Sequence, residues 1–212
     1  MNKSKSFDIQ QHLPLIAIIR GVCPSNVLEI ANALLEEGFS LIEVPLNSPN
    51  ALESIQLLVD ELGEKAVVGA GTVTTLDDAR AVIETGAKLI VTPNVNVDVI
   101  RLAAENDCYV FPGVVTPSEA FSAVNNGATG IKLFPADLVG LSGYKALKSV
   151  LPKGTVCIPV GGVKATTESM RPWLEAGVNG FGLGAALYTP ELSTEQVRKN
   201  ARQFVQTYKS LA

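Results

Sequence analysis

Eight short apolar runs, each followed by a segment with helical periodicity, set the terms on which this chain can fold. They are "LIAII" (15–19), "LIEVP" (41–45), "AVVGAG" (66–71), "LIVTP" (89–93), "YVFPG" (109–113), "GIKLFP" (130–135), "VCIPVGG" (156–162) and "GFGLG" (180–184). Continuous apolar runs of this length suit strands buried on both faces, as in a parallel sheet. Between them, "NVLEIANALLEEG" and "ALESIQLLVDELG" place apolar residues three and four apart and end on glycine, which predicts amphipathic helices. "TLDDARAVIETG", "VDVIRLAAEND", "TPSEAFSAVNNG", "LSGYKALKSVL" and "TTESMRPWLEAG" continue the series, and "STEQVRKNARQFVQTYKSL" closes it. Eight βα units of about 25 residues predict a closed parallel (β/α)8 TIM barrel, because each crossover lays a helix outside and closure leaves no sheet edge exposed. An open doubly wound sheet would carry GxGxxG after its first strand, and that place holds "RGVCPSN". No linker divides the chain, so residues 1–212 are expected to form one α/β domain with a short N-terminal extension.

The composition agrees with an α/β interior. Apolar residues make up 47% and aromatics only 6%, so the core must be built from Val, Ile, Leu and Ala. A net charge of -4 with no basic stripe gives a nucleic acid nothing to bind. Cys23, Cys108 and Cys157 are far apart and odd in number, which argues against a disulfide framework. His12 is the only histidine, so a zinc cluster or a Ser/His pair is not expected, and no cofactor motif is present. The start, "MNKSKSFDIQQHLPLIAIIRG", lacks a small-residue cleavage site and is not read as a signal peptide. No apolar stretch approaches the roughly 20 residues that span a bilayer, and a cytoplasmic location is expected.

In a barrel of this kind chemistry sits at the C-terminal ends of the strands. The polar residues there are Arg20, Glu43, Asn47, Thr72, Thr92, Asn94 and Lys132. Lys132 stands inside "GIKLFP". Its plain reading is a lysine that snorkels to a rim or pairs with a carboxylate. Strand alternation instead puts Ile131 and Leu133 against the helices and turns Lys132 inward with Gly130 and Phe134. An enclosed amine loses hydration, its pKa falls, and the neutral form can attack a ketone. Glu43, inside "LIEVP", reads either as an ion-pair partner of Lys132 or Arg20, or as a proton shuttle beside an iminium. The glycines Gly161 and Gly162 in "PVGGV", with Gly182 and Gly184 in "GFGLGAA", end the seventh and eighth runs, where barrels hold phosphate with backbone N–H groups and the start of a short helix.

The motifs "EVPLNSP", "VGAGTV", "LIVTPN", "FPG", "GIKLFPA", "PVGGV" and "GLGAALY", in this order over nearly the whole chain, resemble the class I 2-keto-3-deoxy-6-phosphogluconate and -galactonate aldolase family. The resemblance implies a (β/α)8 barrel, a homotrimer, and metal-free cleavage of a phosphorylated keto-deoxy sugar acid to pyruvate and glyceraldehyde 3-phosphate. It places Lys132 on the Schiff-base lysine, Glu43 on the proton-transferring glutamate, and Thr72 on the threonine at the pyruvoyl end. Arg20, Gly161, Gly162, Gly182 and Gly184 fall on ligand and phosphate contacts.

The galactonate branch fits better. Gluconate-type members tend to carry "EVTLRT", whose arginine meets the pyruvate carboxylate, where this chain has Asn47. They also tend to carry threonine before the glycines of the seventh run, where this chain has Val160. A side chain without a donor cannot bond the C4 hydroxyl, which relaxes or inverts preference at that carbon. Ala185 replaces the serine of the commoner "GLGS", so phosphate is expected to lean on the Ala185 backbone N–H. The alternatives are a phosphogluconate or 4-hydroxy-2-oxoglutarate aldolase, a metal-free isomerase or epimerase that needs Glu43 alone, a non-catalytic sugar-phosphate binder, and a Mg²⁺-dependent aldolase for which Glu43 lacks companions.

Overall fold

The computed structural model describes residues 11–211; the expected N-terminal extension, residues 1–10, lies outside the described residues. The strands are β1 (Leu15–Ile18), β2 (Leu41–Pro45), β3 (Val67–Gly71), β4 (Leu89–Val91), β5 (Tyr109–Phe111), β6 (Gly113–Val114), β7 (Gly130–Leu133), β8 (Val156–Pro159) and β9 (Phe181–Leu183). The helices are α1 (Val27–Glu36), α2 (Ala51–Leu62), α3 (Leu76–Glu84), α4 (Val97–Glu105), α5 (Pro117–Asn125), α6 (Ala136–Val150), α7 (Thr167–Ala176) and α8 (Thr194–Leu211). The predicted alternation is therefore present, with one difference. The run "YVFPG" gives two strands, because Pro112 has no N–H to donate and interrupts the ladder.

All strand pairs are parallel. Six strands run in the order β5-β4-β3-β2-β1-β9 and three in the order β6-β7-β8. The two segments meet at Pro112, whose carbonyl accepts from Lys132 N–H at 2.9 Å, and at a parallel bridge between Val160 and Gly182. The result is a curled parallel sheet with the eight helices of the described residues around it.

Two apolar clusters follow from strand alternation. Leu15, Ala17, Ile42, Val44, Ile131 and Leu133 pack toward the helices. Ile16, Ile18, Leu41, Leu89, Val91, Phe111, Ile158 and Val160 fill the concave side. Helix starts are set by local sequence: Thr75, Asn96, Thr116 and Thr166 each accept a backbone N–H, and Thr116 with Glu119 forms a reciprocal capping box. The last helix is tied to the first by Arg198 with Glu36 and by a two-pronged contact of Arg202 with Glu37 at 2.8 and 3.0 Å.

Candidate active site

Lys132 and Glu43 come from opposite parts of the sheet and point into the same space. On β7, Ile131 and Leu133 face the helices and are wholly buried, so Lys132 projects to the concave side, where it is 8% exposed. Its Nζ lies 4.4 Å from the centroid of the Phe134 ring. Burial holds its pKa below the ordinary lysine value; the Glu43 carboxylate opposes that shift and the Arg20 guanidinium adds to it. On β2, Glu43 shares the concave face with Leu41 and is 2% exposed. Burial pushes its pKa up, against the attraction of Lys132 and Arg20. Among the described residues no ion pair within 4 Å joins the two, and Glu43 Oε2 has no hydrogen-bond partner. The ion-pair reading of Glu43 thus gives way to two groups that influence each other's titration without a direct ion pair.

Room for the carboxylate comes from Gly71 at the end of β3. A Cβ there would lie 1.7 Å from Glu43 Oε1. Thr72, the next residue, sits half-buried with φ of 35°, a left-handed conformation rare for a β-branched side chain.

Arg20 follows β1, whose ladder continues through Ile19 N–H to Glu43 O at 3.0 Å. Its guanidinium donates to the side-chain oxygen of Asn47, beyond β2. Beside this pair, the Gly21 N–H donates to Ser48 Oγ at 2.9 Å, and Ser48 is buried. Four residues of two neighbouring loops are thereby joined at two points.

At the other side of the rim, Val160 belongs to the concave cluster, and its carbonyl accepts from Ala136 N–H at 3.0 Å. Gly161 and Gly162 have φ of 105° and 70°, so this turn demands glycine twice. A Cβ on Gly162 would meet the Asp137 carboxylate at 2.5 Å. Gly182 on β9 is pressed against Val160, where a Cβ would be 2.5 Å from Val160 Cγ2. Gly184 and exposed Ala185 follow β9. The anticipated short helix is only one turn, closed by Leu187 and Tyr188 N–H groups on the Gly184 carbonyl at 2.8 and 3.0 Å. Thr92 is buried and its hydroxyl donates to Asn94 O at 2.5 Å.

Lys132, Glu43 and Gly182 therefore stand within strands and the other predicted site residues beyond the strands' C-terminal ends, which the parallel pairing delivers to one side. Sequence reasoning missed Gly71, Ser48 and Asp137. Gly71 had a signal in the repeated glycines of "VGAG", whereas the approach of Asp137 to Gly162 had none. A separate cavity of about 730 Å³ lies at the opposite end, among Val67, Lys88, Cys108, Tyr109, Thr129 and Val156, and includes none of the site residues. Among the described residues no three His, Cys, Asp or Glu side chains converge, and no helix is long and apolar enough to cross a membrane.

Comparison with known proteins agrees with this geometry. Residues 8–202 match the family model for KDPG and KHG aldolase. The chain is 43% identical over 200 residues to the 2-dehydro-3-deoxy-6-phosphogalactonate aldolase of Escherichia coli (strain K12), covering 94% of this chain and 97% of that one. Its fold superposes on the native KDPGal structure with a TM-score of 0.90 at 42% identity, covering 93% of this chain and 95% of the other. A more distant likeness, at 25% identity and a TM-score of 0.76 over 94% of both chains, is to a KDPG aldolase from Legionella pneumophila with pyruvate captured at low pH as a covalent carbinolamine intermediate. The chain belongs to the KDPG and KHG aldolase family, enzymes of the lyase class.

Proposed function

We propose that this enzyme cleaves 2-dehydro-3-deoxy-6-phosphogalactonate to pyruvate and D-glyceraldehyde 3-phosphate through a Schiff base on Lys132. The observation that carries the reading is that, among the described residues, one amine and one carboxylate are buried on the concave side of the sheet without an ion pair. Burial lowers the pKa of Lys132, so a larger fraction is the neutral nucleophile at ordinary pH. The amine adds to the C2 ketone and water leaves as the iminium forms. Glu43 then takes the proton of the C4 hydroxyl while the C3–C4 electron pair moves toward the iminium, and glyceraldehyde 3-phosphate departs. The protonated Glu43 returns that proton to C3 of the enamine, directly or through water, and water then hydrolyses the iminium to release pyruvate and free Lys132. The iminium is the electron sink, so the scheme calls for neither metal nor organic cofactor.

The rest of the rim supports binding. Thr72, Arg20 and Asn47 serve the anionic and pyruvoyl parts of the ligand. The backbone of Gly161, Gly162, Gly182, Gly184 and Ala185 serves the phosphate, where close approach needs residues with little or no side chain. Val160 offers the C4 hydroxyl no donor, and the galactonate aldolase of Escherichia coli is 43% identical. The bridge of Val160 to Gly182 and the continuity at Pro112 favour a closed (β/α)8 barrel built from one domain over residues 1–212. A homotrimer in the cytoplasm is the assembly and location that the family likeness implies, and light scattering after gel filtration measures the first.

Borohydride added with pyruvate should attach a reduced adduct to Lys132, located by peptide mass mapping; an unmodified Lys132 sinks the mechanism. A coupled pyruvate assay with both C4 epimers tests the substrate, and a strong gluconate preference overturns the role given to Val160.

A further inference from the structure

The geometry points to Ser48 as a positioning residue that sets Arg20 for its ligand. Arg20 carries an exposed guanidinium on the loop after β1, and an exposed arginine loses rotamer freedom when it must meet an anion in one pose. Two contacts restrict it. Its own guanidinium donates to the Asn47 side chain, and the next residue, Gly21, donates its backbone N–H to Ser48 Oγ at 2.9 Å. Ser48 is itself held by a tight turn in which its N–H donates to Pro45 O at 2.8 Å, directly at the end of β2. The hydroxyl therefore hangs from a strand end that also carries Glu43.

The loop has little freedom to choose another anchor. Gly21 adopts φ of 87° and lies against Pro190, where a Cβ would come within 2.6 Å of the proline Cγ. Pro190 closes the loop from the β9 side and Ser48 from the β2 side, with Arg20 between them. Ser48 is buried at 7% exposure and Gly21 is half-buried, so removing the Ser48 oxygen leaves the Gly21 N–H without its protein partner. The loop would then relax at the backbone of Arg20 rather than at Lys132 or Glu43, which sit on strands. Ser48 touches neither the reacting atoms nor the ligand in this account; it acts through Arg20.

This inference rests on the reading of Arg20 as a ligand contact. Its signature is a rise in KM without loss of the chemical step. Ser48→Ala should raise KM about 5- to 10-fold and change kcat less than about twofold, the scale of one lost hydrogen bond. Ser48→Thr keeps the oxygen and should restore KM to within about twofold of the wild type. In an Arg20→Met background Ser48→Ala should add nothing further, because the two changes remove one interaction. An unchanged KM in Ser48→Ala, an equal rise in the Arg20→Met background, or a Thr variant as impaired as the Ala variant each overturns the assignment. Should Ser48→Ala fail to fold, the Thr variant and Ser48→Cys, a weak acceptor of similar size, carry the same comparison. Borohydride trapping of pyruvate on wild-type Lys132 is run alongside: its failure sinks the aldolase mechanism and leaves the Ser48 result to be read separately.

Discussion

Leu41 and Glu43 lie two residues apart on β2, face the same concave space, and are equally hidden from water, yet they do opposite things to the molecule. Leu41 joins Ile16, Leu89 and Phe111 in an apolar floor, where removal from water stabilises the fold. Glu43 stands one layer higher on the side of Lys132, and burial shifts the titration of each toward its neutral form. The comparison teaches that burial alone does not mark a site in this fold. What marks it is the layer, because only the upper one lies at the C-terminal strand ends where the loops with Arg20, Thr72 and Gly162 converge.

Removing the amine gives the largest expected effect. Lys132→Met should lower kcat by at least about 10⁴-fold, since no second nucleophile faces the ketone. Its melting temperature should stay level or rise, because an apolar chain of similar length replaces a desolvated amine. Leu89→Ala, in the floor, should do the reverse: lose about 2–5 kcal/mol in denaturant titration and leave kcat nearly intact. Matching losses of activity in both variants would break the division into layers.

A second pair sharpens the same division within β3. Gly71→Ala puts a methyl group where Glu43 Oε1 now lies, at 1.7 Å, and the carboxylate can swing aside. The expected result is a fall of about 10²-fold in kcat with modest loss of stability, because a catalytic group displaced by about 1 Å is costly. Gly69→Ala drives the methyl group into the Leu89 backbone carbonyl at 1.8 Å, where nothing flexible can yield. That variant should lose about 1–3 kcal/mol through strain. Circular-dichroism melts and single-turnover rates separate the two outcomes.

Much of this was legible beforehand for a physical reason. The alternation that sends Ile131 and Leu133 outward must send Lys132 inward, so a period-two pattern in the sequence sets the direction of the proposed nucleophile. The same logic placed Glu43, and the parallel topology put all the polar strand ends on one rim. The split at Pro112 was visible as a proline in a run, though its consequence, a change of strand partner, depends on neighbours distant in sequence. Close approaches were the least legible. Gly162 against Asp137 and Ser48 beneath Gly21 join segments far apart in the chain, which no local pattern encodes, and the glycines of "VGAG" marked Gly71 without showing that Glu43 would meet it.

The upper end of the concave side also holds Val160, an apolar residue pressed against Gly182, and changing it should have an intermediate effect. Val160→Thr keeps the shape but adds a hydroxyl beside the reacting carbons. Relative kcat/KM should move toward the gluconate epimer by about tenfold, the worth of one well-made hydrogen bond to a substrate hydroxyl. The two epimers in competition, with product analysis, give the ratio directly. An unchanged ratio would remove Val160 from the specificity argument and leave the layer's polar members to explain it.

The smallest effect concerns protons. Burial holds Lys132 below 10.5, its ordinary value, so between its native pKa and 10.5 the unfolded chain binds more protons and native stability rises with pH. Glu43 is shifted the other way, so between 4.5 and its raised native pKa the folded chain binds more protons and stability falls as pH rises. The advantage of Lys132→Met over the wild type in urea titrations should therefore shrink as pH climbs toward 10.5. Borohydride trapping of pyruvate should speed up over the same climb, with a midpoint below 10.5. An ionised Glu43 holds the proton on Lys132 and Arg20 repels it, so the midpoint should move down in Glu43→Gln and up in Arg20→Gln. A midpoint at the ordinary lysine value, indifferent to both variants, would mean that the amine is hydrated like any surface lysine, and the contrast between the two layers of the interior would lose its cause.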